Sequence, residues 1–152
     1  MIEPLRFTLV VSCPPEHAFL VWTAKASHWW PRSHTVTAEP GLEIVFQPRV
    51  GGRIYERIGV GTEIEWGQVT AWEPPRRLSY LWHIRADRAD ATEVDIRFTD
   101  QGDSTTRVDI EHHGWERLGK RGLRWREVNT MGWNGVLPDY LRACSQPELS
   151  PG

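Results

Sequence analysis

Between Leu42 and His113 the apolar side chains alternate with polar ones and never fall at helical spacing; after Gly114 the period changes, once, to that of a helix. Leu78, Tyr80, Trp82 and Ile84 share one side of a segment, and Val94, Ile96 and Phe98 oppose Glu93, Asp95 and Arg97 on the next. Val108 and Ile110 continue that face opposite Arg107, Asp109 and Glu111. This pattern predicts strands over 42–47, 52–58, 63–72, 77–85, 92–99 and 105–113, each with one face on a core. The links carry Pro48 to Gly52, Gly59 to Gly61, Pro74-Pro75, Asp87 to Ala91 and Gln101-Gly102-Asp103. Connections this short join neighbouring strands, so the sheet is expected to be an antiparallel meander.

Upstream, residues 5–12 read as a first strand, with Phe7, Leu9 and Val11 on one face. Pro14 and Pro15 end it and suit the start of a short helix through Trp22. A second short turn over 25–30 stops at Pro31. Downstream, Trp125, Val128, Gly132 and Val136 recur at helical spacing, widened by Trp133, Leu137, Tyr140, Leu141 and Cys144, and predict a helix over 121–144. Gly132 costs a helix interior ~1 kcal/mol relative to Ala, which predicts a close backbone approach there, and Pro138 predicts a kink. The class is α+β: a curved seven-stranded antiparallel sheet around one long C-terminal helix, with two short helices after the first strand. One helix rarely fills such a sheet, and the remaining volume is a cavity. The organisation expected is a single domain over 1–145 and a flexible tail over 146–152.

Composition narrows the function classes. With 39% apolar and 25% charged residues the 152-residue chain has enough apolar material for a core without a metal or disulfide. Its 18 basic and 20 acidic residues are interspersed, which argues against a nucleic-acid surface. No segment approaches the ~20 apolar residues that span a bilayer, and the N-terminus lacks the features of a signal peptide, so a cytoplasmic location is the default expectation. Cys13 and Cys144 read as separate small core residues, and no metal-ligand spacing or cofactor motif occurs. Nine tryptophans suit both a core and the wall of a ligand pocket, because a buried indole N–H requires an acceptor. The Trp29-Trp30 pair before Pro31 either closes one end of the core or forms an exposed aromatic patch.

Period and parity nominate lining residues: Tyr80, Trp82 and Phe98 on the sheet, and Trp125, Gly132 and Val136 on the helix. His112 follows Val108 and Ile110 at period two and faces inward, as a ligand contact or a hydrogen-bonded core group. Glu56 lies between Ile54 and Ile58, and a carboxylate there is either a binding anchor or sits at a solvated mouth. Glu56 and His112 form an acid/base pair only if they converge. Over 63–72 both faces are partly apolar, which a bulge near Gly67 reconciles, so Gln68 and Tyr55 are also candidates. His28, His34 and His83 read as exposed or loop-borne.

The stretches PPEHAFLVWT, SHWWPRSHTV, FQPRVGGRIYER, EIEWGQVTAWEPPRRLSYLW, TRVDIEHHGWERLG and GWNGVLPDYL span roughly residues 7–144. In this order they resemble the START and birch-pollen-allergen-like (SRPBCC) superfamily, and more closely the bacterial branch similar to the C-terminal domain of the activator of heat-shock protein 90 ATPase. The resemblance implies a helix-grip fold; none of these stretches is a catalytic signature. The leading expectation is non-enzymatic binding of a small apolar or aromatic molecule in the cavity, as carrier or sensor. A co-chaperone-like module that binds a chaperone or other protein is the alternative, and a cavity enzyme using Glu56 and His112 is the second.

Overall fold

The computed structural model describes residues 1–146. The expected tail beyond Gln146 lies outside the described residues. Strands β1 (Leu5–Val11), β2 (Glu43–Phe46), β3 (Arg53–Ile58), β4 (Thr62–Glu73), β5 (Arg77–Trp82), β6 (Thr92–Gly102) and β7 (Thr105–His113) form one sheet in the order β1-β7-β6-β5-β4-β3-β2, every pair antiparallel. Helices α1 (Pro15–Trp22) and α2 (Ala26–Trp29) follow β1, and α3 (Gly122–Cys144) follows β7. The α+β helix-grip architecture is therefore the one the sequence predicts. Among the described residues no helix is long and apolar enough to cross a membrane.

The strand faces follow the parity of the sequence. Leu78, Tyr80 and Trp82 on β5, Val94, Ile96 and Phe98 on β6, and Val108, Ile110 and His112 on β7 are all buried, and α3 covers them with Trp133, Val136, Leu137 and Tyr140. Tyr140 donates its hydroxyl to the Ala18 carbonyl at 2.8 Å and so ties α3 to α1. The Cys13 and Cys144 thiols are buried, free and close together, where the end of β1 meets the end of α3.

Two expectations are corrected, for the end of β5 and for Gly132, and one, the bulge near Gly67, is found. Strand β5 ends at Trp82, not at residue 85, because the chain turns away at His83. In β4 the register shifts so that Ile54 pairs with Gly67 but Tyr55 with Glu65, leaving Trp66 as the extra residue of the bulge; Trp66 and Gly67 are consequently both buried. The Gly132 backbone is not a point of close approach, since a side-chain carbon there would meet nothing within 4 Å. The tight glycine is Gly135, one turn further along α3 and packed on His34. Pro138 lies inside α3, which runs unbroken to Cys144.

Candidate functional site

Four tryptophans wall a cleft where the end of β5 meets α3. Trp82 is the last residue of β5, Trp30 follows α2, and Trp125 and Trp133 lie on α3. With Ile84, Gly132 and Val136 they enclose about 350 Å³, and His34, Arg85 and Asn129 supply the polar atoms. Val128 and Met131 stand at the rim, Met131 71% exposed, so the volume opens to solvent and is a cleft instead of the sealed interior cavity expected. Trp30 is fixed by its indole N–H, which donates to the His34 carbonyl at 3.1 Å, and by its neighbours: its ring centroid lies 5.3 Å from Trp66 and 6.0 Å from Trp82. Such pairs add ~0.5–1.5 kcal/mol beyond area burial and hold the rings in place before anything binds.

The helix contributes through its period. Trp125, Val128, Asn129, Gly132 and Val136 lie three, four, seven and eleven residues along, which is one face of a helix. Gly132 has open space where its side chain would be, so the missing atoms become cleft volume.

His112 stands behind this wall, outside the cleft lining. The Trp133 indole N–H donates to His112 Nδ1 at 2.9 Å, and Nε2 lies 2.6 Å from the Thr92 hydroxyl. Since an indole N–H can only donate, Nδ1 must accept and Nε2 carries the proton, passed as a donor to Thr92, whose own hydroxyl faces the Trp82 carbonyl at 3.4 Å. Burial, followed by the neighbouring His113, lowers the His112 pKa to about 3, so the ring is neutral near pH 7. Its role is to brace Trp133 and Trp82, two walls of the cleft.

Glu56 points inward, as parity requires, but it is fully buried and does not reach a solvated mouth. Oε1 accepts the Val36 N–H at 2.6 Å and the Trp66 indole N–H at 2.9 Å; Oε2 accepts the Thr37 N–H at 3.0 Å and hydroxyl at 2.7 Å. Burial raises its pKa, and these donors together outweigh burial and bring it below the usual carboxylate value. Glu56 pins the 35–38 loop. With each group's acceptors and donors committed to different partners, Glu56 and His112 do not form an acid/base pair.

The other nominated residues divide. Trp82, Trp125, Gly132 and Val136 line the cleft. Tyr80 is interior, its ring centroid 5.9 Å from Phe46 and 5.4 Å from Trp82. Phe98 packs 5.3 Å from Phe19, beyond the cleft lining. Tyr55 lies on the opposite sheet face from Ile54 and Glu56, covered by the Arg53 guanidinium 4.6 Å from its ring centroid. Gln68 is exposed and donates to the Gly51 carbonyl, because the bulge at Trp66 turns it outward. His83 leaves the sheet as a loop residue yet is buried, bonded to Glu65 at 2.9 Å.

Sequence reasoning did not nominate Trp30 or Trp133 as lining, and it missed His34, Ile84, Arg85 and Asn129. Asn129 was legible, since it shares the helical face of Trp125 and Gly132. Ile84 and Arg85 were masked by an alternation that continues past the real end of β5, and His34 gains its place only through contact with Gly135. Among the described residues no group of three or more His, Cys, Asp or Glu side chains could hold a metal ion.

A sheet gripping one helix, with an open aromatic cleft between them, defines a helix-grip protein with a ligand-sized site. The profile of the family described as "Activator of Hsp90 ATPase homolog 1-like protein" matches residues 12–146, and the chain belongs to that family. Among solved structures it is similar to the anthrahydroquino-gamma-pyrone synthase Txn09, determined as a complex, at 35% identity over 81% of this chain and 84% of that one, with a TM-score of 0.59. It is also similar to the self-sacrificing resistance protein CalC from Micromonospora echinospora, at 24% identity over 97% and 94% of the two chains, TM-score 0.65. An HSP90 activator from Plasmodium falciparum shares the fold at 18% identity over 72% and 71%, TM-score 0.53. No curated protein matches the chain significantly.

Proposed function

We propose that this protein binds a small, flat, largely apolar or aromatic molecule in the cleft between β5 and α3. The observation that carries this reading is the wall of Trp30, Trp82, Trp125 and Trp133, open to solvent beside Gly132. Aromatic faces with a few convergent polar groups suit a planar ligand, which stacks on the rings and is oriented by His34, Arg85 and Asn129. The 35% identity to a synthase of a fused-ring product agrees in ligand class.

A thermal-shift panel of neutral bicyclic and tricyclic aromatics, 2-naphthamide among them, tests it on the parent and on Gly132→Leu. A ligand at 100 times its Kd stabilises the fold by ~2.7 kcal/mol, which raises Tm by roughly 5–10 °C for a chain of this length. Gly132→Leu places a side chain in the open volume and is expected to abolish the shift while folding normally. Equal shifts in both proteins would reject the site.

The identity to Txn09 favours a second reading, in which the bound molecule is also converted. Its chemistry would fall to His34, Arg85 and Asn129, since neither Glu56 nor His112 lines the cleft. Turnover of aromatic polyketide substrates that His34→Ala abolishes without loss of binding would support it. The protein-docking alternative draws nothing from Trp29 and Trp30, each only 8% exposed.

A further inference from the structure

The aromatic cleft has a neighbour. Arg85 and Trp125 also wall a second cleft of about 700 Å³, which runs past Lys120, Arg121 and Arg124, so an apolar cleft and a charged one meet at these two side chains. The carboxylates there are mostly committed. Glu65 is held by Arg88, Arg53 and His83, and Asp90 pairs with Arg121 at 3.1 Å, leaving Asp87 beside Arg121. Among the described residues no carboxylate forms an ion pair with Arg85, Lys120 or Arg124.

Arg85 is held at the junction with care. Its backbone is left-handed, with φ of 61°, a conformation that a long side chain rarely takes. Its guanidinium donates from one nitrogen to the Ser33 and Thr35 carbonyls, at 3.3 and 2.5 Å, so its charge meets only neutral acceptors and its other nitrogens remain available. Thr35 belongs to the loop that Glu56 pins, which fixes the cation relative to the tryptophans.

We infer that the ligand is amphipathic, an aromatic body in the tryptophan cleft with an anionic substituent reaching Arg85 and Arg124 at the junction. The inference rests on the binding reading above and adds the charge of the ligand. Carboxylate and phosphate share this chemistry, because a guanidinium donates to either with charge-assisted hydrogen bonds.

The test is calorimetric titration with 2-naphthoate, 2-naphthamide and 2-naphthyl phosphate, compounds that share one ring system. At low salt the carboxylate is expected to bind roughly 5–10-fold tighter than the amide, and the advantage to fall in 0.5 M NaCl. Phosphate binding tighter than carboxylate assigns a phosphorylated ligand, and the reverse a carboxylic acid. Arg85→Gln is expected to remove the advantage; because that change also disturbs Ser33 and Thr35, Arg124→Gln, which breaks no internal ion pair, serves as the second variant and is expected to halve it or more. An amide that binds as well as both anions overturns the charge inference and leaves the binding reading standing. An anion preference unchanged in both variants also overturns it, and no binding by any of the three overturns both.

Discussion

The imidazole of His34 lies directly against the α3 backbone at Gly135, where a side-chain carbon would sit 2.3 Å from Nε2. Three residues earlier, the same helix leaves open space at Gly132. Two glycines in one helix therefore do opposite things. Gly132→Ala is expected to stabilise the fold by ~0.5–1 kcal/mol through helix propensity alone. Gly135→Ala must displace His34, and overpacking of ~1–3 kcal/mol offsets or exceeds the same gain. Chemical denaturation of the two variants checks the contrast, and equal stabilisation by both would contradict the packing described.

Glu56→Gln should be costly despite its shape. Both carboxylate oxygens accept from donors, so either orientation of the amide sets an NH2 group against an N–H. A loss of about 2–4 kcal/mol is expected, since charge-assisted bonds are broken and buried donors are orphaned. Faster hydrogen exchange at Val36 and Thr37 is the local readout.

The protein should lose stability in acid well above the range of exposed carboxylates. The folded-state pKa of His112 lies near 3, below the unfolded value near 6.5, so its contribution is complete above pH 6.5 and is lost as pH falls toward 3. His17 acts in the same direction, its pKa lowered by burial and then by Lys25. Glu56, Glu65 and Asp95, all depressed, add to the loss below about pH 4.5, with Glu65 lowered to about 2 chiefly by Arg88. Denaturation midpoints are expected to hold between pH 7.5 and 6.5 and then to fall down to pH 4, less steeply in His112→Gln. A flat profile from pH 6.5 to 5 would contradict the buried neutral imidazole.

The fold was legible because β6 turns Glu93, Asp95 and Arg97 to solvent and β7 turns Arg107, Asp109 and Glu111, so parity had one reading; β7 runs from Thr105 to His113 in both sequence and structure. Where an apolar residue serves the cleft instead of the sheet, the same rule overran, as at Ile84. The inward turn of Glu56 could be read from parity, but its partners Val36 and Thr37 sit 20 and 19 residues earlier on a loop with no period of its own. Gly132 and Gly135 are indistinguishable in a helical pattern, because a missing side chain makes room equally for a neighbour or for a ligand.

The central claim is that a planar ligand occupies the tryptophan cleft, and the indole N–H resonances report on it ring by ring. Nine indole signals are expected, one for each tryptophan. On titration with 2-naphthamide, those of Trp30, Trp82, Trp125 and Trp133 are expected to shift, while Trp115, bonded to the His112 carbonyl, and Trp72, beside Phe19 away from the cleft, stay fixed. Shifts centred on Trp72 with the four cleft indoles unmoved would contradict the account.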